Sequence, residues 1–372
     1  MQPFNFETTP KIVCEIGASA QIGALMAARG VRHVGFVTDA PVRALGLTEE
    51  AERSIRAAGL ACTVVDTIIP DPPEALVEDV ASQLTQCDGI VALGGGSALD
   101  VAKVVALLNA SDQPLGAMYG VGNATGPRLP LILVPTTAGT GSEVTPISIL
   151  TTGEAQKMGI VSPLLLPDVA LLDARLTLGL PRDHTAATGV DAMVHAIEAF
   201  TSRHRKNPLS DALAREALTL LSANIERVCD TPQDEAARGA MLLGSCFAGM
   251  AFANAPVAAV HALAYPLGGH FKVPHGLSNC LVLPHVLEFN APAAEDAYAE
   301  LASICFDGAT LADGFRTLAP RIGLKTRLSD VGVGHNHLPM LAEDAMKQTR
   351  LLINNPREVT YEDALAIYTK AL

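Results

Sequence analysis

The sequence predicts an α/β N-terminal half built on a mostly parallel sheet, followed by an all-α C-terminal half. Three observations carry this reading. Short apolar runs alternate with amphipathic helical stretches from Lys11 to Asp173, the pattern of βαβ units. Beyond Leu180-Pro181 the apolar period becomes almost purely helical. The chain, at 372 residues, also exceeds the size at which single cores divide. The boundary is expected within residues 174–184, giving domains 1–180 and 181–372.

Composition narrows the class. Apolar residues make up 49% of the chain and no long polar tract interrupts them, so a folded globular chain is expected. The formal net charge is −13 and no Lys/Arg block is present, which argues against nucleic acid as a partner. Cys14, Cys62, Cys87, Cys229, Cys246, Cys280 and Cys305 are scattered without a CxxC, as reduced thiols of a cytoplasmic protein would be. The N-terminus has no basic region followed by an apolar core, and no uninterrupted apolar run reaches about 18 residues. Neither a signal peptide nor a membrane partner is expected.

In the N-terminal half, strands are expected at Lys11–Ile16, His33–Thr38, Ala61–Val65, Gly89–Leu93, Leu131–Pro135 and Val169–Asp173. Helices are expected at Ala20–Arg29, Leu47–Ala58, Glu74–Gln86 and Ser97–Asn109, and a hairpin joins Thr145–Leu150 to Lys157–Val161 across Thr152-Gly153. Parallel sheets carry their ligand sites beyond the C-terminal strand ends. One such end is Gly94-Gly95-Gly96-Ser97, followed by Asp100 and Lys103. Glycines there let a phosphate approach the backbone and meet the N–H groups of a helix start. The motif is neither GxGxxG nor a P-loop, and a tight turn without ligand also fits it. Asp39 follows another strand. It reads equally as an acceptor for an adenosine ribose or as a helix cap. Thr136-Thr137-Ala138-Gly139-Thr140-Gly141-Ser142-Glu143 follows a core strand and offers hydroxyls for a second phosphate or nicotinamide contact. Lys157 reads either as a phosphate or ribose contact or as a surface lysine.

The C-terminal half is read as helices at Leu209–Val228, Asp234–Phe252, Pro256–Leu267, Asp296–Cys305, Leu311–Ala319, Pro339–Met346 and Tyr361–Leu372. Another helix begins near His184, with Asp183 as its expected cap. Asp191 and His195 lie four residues apart in helical sequence, with Cβ atoms about 5–6 Å apart on one face. The pair is half of a metal site or, equally on spacing alone, a capping Asp and a packed His. His261 lies in an apolar helix with Tyr265 one turn later. Pro266 and the glycines after it are expected to end that helix. His275 is expected in a Pro-His-Gly turn folding back beside His261. One carboxylate and three imidazoles suit Fe²⁺ or Zn²⁺ rather than Mg²⁺ or Ca²⁺. His270 is read as a substrate-cleft residue, His285 as structural, His204 as exposed and Leu351–Arg357 as a loop.

Together these motifs resemble the iron-containing alcohol dehydrogenase family nearly end to end. The resemblance rests on Gly94–Ser97 with Asp100 and Lys103, Pro135–Glu143, Leu166–Asp173, Gly189–Glu198 and His261 through Gly276. It implies the dehydroquinate synthase-like fold: a Rossmann-like NAD-binding α/β domain, an all-helical metal domain and an active site in the cleft between them. It assigns Asp191, His195, His261 and His275 to the metal, with Zn²⁺ able to replace Fe²⁺. It gives Asp39 a preference for NAD over NADP, places Gly95, Gly96 and Ser97 on the pyrophosphate, and makes Thr136, Thr137 and Ser142 dinucleotide contacts. Gly94, Asp100, Thr140 and Lys157 complete the expected cofactor set. Many relatives carry a second histidine where this chain has Tyr265. That makes Tyr265 a substrate-pocket residue able to take part in proton transfer, although a phenol with pKa about 10 is a poor base at neutral pH.

The activity so implied is the reversible NAD-dependent interconversion of a small alcohol with its aldehyde or ketone, by a homodimer. Rival readings are a maleylacetate reductase, a lactaldehyde reductase, a hydroxyacid-oxoacid transhydrogenase, or a metal-binding structural protein without catalysis. The glycine and threonine loops argue against the last.

Overall fold

Six parallel strands form the main sheet in a computed structural model that describes residues 3–153 and 156–372. They are β1 (Ile12–Cys14), β2 (His33–Val37), β3 (Ala61–Val65), β4 (Gly89–Gly94), β6 (Leu131–Pro135) and β9 (Val169–Leu172), in the order β1-β9-β6-β4-β2-β3. A second sheet pairs β5 (Gly120–Val121) in parallel with β8 (Gln156–Val161), and β8 antiparallel with β7 (Ile147–Thr152). The helices of this unit are α1 (Ile22–Ala27), α2 (Ala40–Ala44), α3 (Glu49–Ala57), α4 (Glu74–Gln83) and α5 (Gly96–Leu108).

Successive side chains of a strand face opposite sides, so a sheet covered on both faces needs apolar residues at every position. Val91 and Leu93 of β4 join Phe36, Ile132 and Val134 in the core on one face. Ile90 and Ala92 join Val37, Leu131 and Leu133 in the core on the other. This is why the strands read as continuous apolar runs. The sequence missed α2, whose five residues are too few to show a period, and β5, which has two.

The helical unit comprises α6 (Arg182–Phe200), α7 (Pro208–Asp230), α8 (Glu235–Asn254), α9 (Ala259–Phe271), α10 (His275–Cys305), α11 (Leu311–Arg321), α12 (Leu338–Met346), α13 (Thr349–Leu352) and α14 (Tyr361–Ala371). Helix α6 packs on α7, α8 and α10 and is buried along nearly all of its length from Thr185. Helix α8 is long and apolar enough to cross a bilayer, but Met241, Leu242, Cys246 and Ala251 are core residues of this unit.

Compact units divide the chain as Glu7–Thr137 with Gly141–Gly179, and Leu180–Leu372 with Ala138–Thr140 and residues 3–6. A single boundary omits the excursion at Ala138–Thr140. Gly139 packs so closely on Thr188 that an added Cβ would lie 2.7 Å from the Thr188 Cβ.

Four local expectations need correction. Asp183 does not cap α6; it lies inside the first turn, behind the N-cap Pro181, and bonds His184. Pro266 does not end α9, which runs on to Phe271. The stop comes from Lys272, which takes φ +55° and sends its N–H to the Gly268 carbonyl. Proline removes one hydrogen bond from a helix but does not forbid the next turn. His275 is the first residue of α10 rather than a turn residue. Finally, Leu351–Arg357 is not simply a loop. Its first residues lie in α13, and the buried Asn354 and Asn355 bond the Val257 carbonyl and Asn290.

Candidate metal centre

Helix α6 sets the site. Asp191, His195 and Glu198 stand at positions i, i+4 and i+7, so they share one face, and all three are buried. His261 comes from the first turn of α9 and His275 from the start of α10. One donor atom from each of Asp191, His195, His261 and His275 lies within 4.8 Å of every other. Asp191 Oδ1 is 3.8 Å from His261 Nε2 and 3.5 Å from His275 Nε2.

The opposite ring nitrogens fix which atoms point inward. His195 Nδ1 lies 3.2 Å from the Gly139 carbonyl, and His261 Nδ1 lies 2.6 Å from Glu198 Oε2. An acceptor at Nδ1 requires the proton there and leaves the Nε2 lone pair for a cation. Phe252 stacks on His195 at 4.2 Å and His195 on His261 at 4.7 Å between ring centroids, so neither ring is free to rotate.

The charge states suit a cation. Burial pushes His195 down to about 3, an effect that His261 and His275 reinforce and Asp191 opposes, so His195 is neutral at neutral pH. Burial alone would raise the Asp191 carboxyl, but the facing His195, His275 and His261 and a bond from Asn279 bring it below the usual range. An anionic carboxylate beside the neutral His195 imidazole fits a borderline divalent ion.

Two close contacts hold the elements together. Glu198 accepts the backbone N–H groups of Ala258 and Val260 as well as facing His261, which fixes the start of α9 against α6. A Cβ on Gly276 would lie 2.2 Å from the Ala187 carbonyl oxygen, so only glycine allows α10 to begin this close to α6.

Sequence reasoning gave no role to Glu198, Gly139, Gly276 or Asn279. The readable signals were the i+7 spacing of Glu198 from Asp191 and the i+4 spacing of Asn279 from His275. Tyr265 is half-buried, with its ring 5.9 Å from that of His275. His270 is exposed, and its Nε2 lies 2.5 Å from Asp344 Oδ2. That contact ties α9 to α12 and is the partnership the structure gives it.

In the α/β unit, β2 continues toward β3 on one side of the sheet while β4 continues toward β6 on the other. The crevice at such a reversal is the usual ligand site of an open parallel sheet. Asp39 and Gly94–Ser97 lie at its two sides. Asp39 caps α2 through the Val42 N–H, and its Oδ2 would be 3.3 Å from a Cβ on Gly94. None of Gly94, Gly95 and Gly96 takes a positive φ. Gly94 is needed because a Cβ would meet that of Ala98 at 2.8 Å, whereas one on Gly95 would find only Thr137 at 3.8 Å.

Three expected cofactor residues are occupied within the unit itself. Asp100 accepts from Ser142 Oγ at 2.5 Å and from the Ile149 N–H at 2.9 Å. The buried Lys103 ammonium donates to Ser142 Oγ and the Ile147 carbonyl. Asp100 and Ser142 thus brace the loop after β6 against α5. Lys157 pairs with Asp71 and donates to Thr151. Thr136 is buried, with its N–H on the Gly94 carbonyl, while Thr137 and Thr140 are half-buried.

Comparison with known proteins agrees with this architecture. A family model for iron-containing alcohol dehydrogenase matches residues 9–174, and one for the C-terminal part of the same family matches 185–372. The probable alcohol dehydrogenase EutG of Escherichia coli K12 is 34% identical over 377 residues, covering 99% of this chain and 94% of that protein. The 1,3-propanediol dehydrogenase of Klebsiella pneumoniae is 35% identical over 380 residues, covering 97% and 95%. A crystal structure of 1,3-propanediol oxidoreductase superposes with a TM-score of 0.96 at 33% identity, covering 100% of both chains. Sulfoacetaldehyde reductase of Bifidobacterium kashiwanohense in complex with NAD⁺ gives 0.91 at 32%, covering 100% of this chain and 99% of that one. The chain therefore belongs to the iron-containing alcohol dehydrogenase family, NAD-dependent oxidoreductases that interconvert alcohols and carbonyl compounds.

Proposed function

We propose that Asp191, His195, His261 and His275 hold Fe²⁺, or Zn²⁺ in its place, and that the enzyme acts on a small alcohol or aldehyde. The observation that carries this is the convergence of one carboxylate oxygen and three imidazole nitrogens within 4.8 Å. A dication bound there supplies Lewis acidity to the substrate oxygen. The hydride chemistry belongs to NAD.

The chain's own groups do the rest. Glu198 and the Gly139 carbonyl keep His261 and His195 in the tautomer that offers Nε2. Gly95, Gly96 and Ser97 start α5 without a side-chain cap, which suits its first N–H groups to a pyrophosphate. Asp39 accepts from the adenosine ribose and repels a 2′-phosphate. Thr136, Thr137 and Thr140 line the loop toward the dinucleotide, with Asp100 and Ser142 holding its shape. The Tyr265 hydroxyl holds a proton at the substrate oxygen, a role supported by the nearness of its ring to His275. No reacting role is proposed for His270, which Asp344 engages.

We also propose a cytoplasmic homodimer. The seven cysteines, scattered without a CxxC, support the compartment, and family resemblance supports the dimer, which light scattering tests. The decisive test of function is an anaerobic screen with Fe²⁺ or Zn²⁺, both nicotinamides, and a panel of short alcohols, diols, aldehydes and hydroxy acids. NAD(H) turnover with at least one alcohol–carbonyl pair is expected from loaded protein and not from stripped protein or His261→Ala. Unchanged metal content and turnover in His261→Ala would refute the four-ligand assignment.

A further inference from the structure

Asn279 lies against three members of the cluster, Asp191, His261 and His275, without belonging to it. It is one turn after His275 on α10 and fully buried. Its Nδ2 lies 2.6 Å from Asp191 Oδ1, 3.3 Å from His261 Nε2 and 3.4 Å from His275 Nε2. The neighbours dictate the amide's orientation, since an ionised carboxylate and the lone pair of His261 both require a donor. The consequence is a buried Asn279 Oδ1 with no hydrogen-bond partner. A buried carbonyl oxygen without a hydrogen-bond partner is destabilising. An apolar residue of similar size would avoid that cost, so the amide is poorly explained by packing alone.

We propose that Asn279 is a positioning residue for the metal centre. Its N–H bond aims Asp191 Oδ1 at the point where the three imidazole nitrogens converge. The carboxylate oxygen has lone pairs enough to keep this bond while ligating a cation, so the same contact serves the stripped and the loaded site. Without it, Asp191 keeps its charge but loses the restraint on its direction. The position then resembles the outer partners of other metal sites, whose removal commonly weakens metal binding about 10–100-fold. This proposal rests on the reading of Asp191, His195, His261 and His275 as metal ligands.

The test uses Co²⁺ as a spectroscopic probe with the full-length protein. Asn279→Leu fills the space with an apolar group, and Asn279→Ala removes the amide with little risk of overpacking. Affinity is measured by chelator competition, geometry by the visible absorption of bound Co²⁺, and folding by thermal melting of the stripped protein. Both variants are expected to bind Co²⁺ about 10–100-fold more weakly, with altered visible bands. Affinity within twofold of wild type together with unchanged bands, whatever the melting temperature, would overturn the proposal. His261→Ala in the same assay separates the two readings. If it loses Co²⁺ while both Asn279 variants keep it, only the positioning role falls. If wild type and His261→Ala bind Co²⁺ equally, the ligand assignment falls, and the positioning role with it.

Discussion

Glu198 Oε2 lies 2.6 Å from His261 Nδ1, and the same carboxylate receives the backbone N–H groups of Ala258 and Val260. One side chain of α6 therefore both orients His261, a proposed ligand, and anchors the helix that carries it. Glutamine can accept from that side with one oxygen only, so Glu198→Gln turns an amide N–H₂ toward at least one of three donors. Metal affinity is expected to fall about 10–100-fold. Chelator competition measures it, and unaltered affinity would show that Glu198 only caps α9.

Gly276 meets a tighter constraint. With a Cβ 2.2 Å from the Ala187 oxygen, Gly276→Ala must push the start of α10 away from α6 and carry His275 with it. Overpacking of this kind typically costs about 1–3 kcal/mol. Urea unfolding should show that loss, and metal content after dialysis should fall in parallel. A variant with wild-type stability would mean that the two helices separate freely.

Asp39 caps α2 through the Val42 N–H, and one substitution separates that contact from the role proposed for it toward the ribose. Serine preserves the cap on the Val42 N–H but removes the carboxylate beside Gly94. Asp39→Ser is expected to raise kcat/KM for NADP⁺ relative to NAD⁺ by at least about tenfold, corresponding to about 1.4 kcal/mol of relieved repulsion. Steady-state kinetics with both nicotinamides gives the ratio. An unmoved ratio would leave Asp39 as a helix cap alone.

Glu143 is buried with an unpartnered Oε1. Burial pushes its carboxyl up to about 7 from 4.5, against the lowering effect of its own backbone N–H and of Lys103. The folded chain thus binds this proton more tightly than the unfolded chain does. Its contribution to stability is fully present below pH 4.5 and is lost as pH rises toward 7. The loss is about 3 kcal/mol, because each pH unit separating the folded and unfolded carboxyls is worth about 1.4 kcal/mol. Glu143→Gln cannot titrate, so its stability relative to wild type is expected to rise by that amount between pH 4 and about pH 8. Denaturant melts at several pH values check this, and a flat difference would place the titration elsewhere.

Much of the architecture was legible because its signals are local. Ala61–Val65 and Leu131–Pro135 appear as strands at the expected residues, and in Leu131–Pro135, buried at every position, two-sided burial writes itself as an unbroken apolar run. The change to helical period after Pro181 is local in the same way. The i+4 pair in α6, with His261 and His275, was visible as a donor set because few residue types can ligate a borderline ion. Pro266 misled because a proline's effect depends on what its neighbours tolerate, and here the helix continued past it.

The sequence by itself determined the alternation of strands and helices, the two-part fold and the chemical identity of the donors. Tertiary structure alone decided which ring nitrogen His195 and His261 turn inward. That choice depends on the Gly139 carbonyl, 56 residues from His195, and on Glu198, 63 residues from His261. It also decided that Asp100 and Ser142 brace a loop, that Lys157 is held by Asp71, and that Asn279 faces Asp191 across 88 residues of chain. Periodicity records what lies within a turn or two of a residue. Hydrogen-bond partners of a buried polar group are set by which distant segments the core brings together.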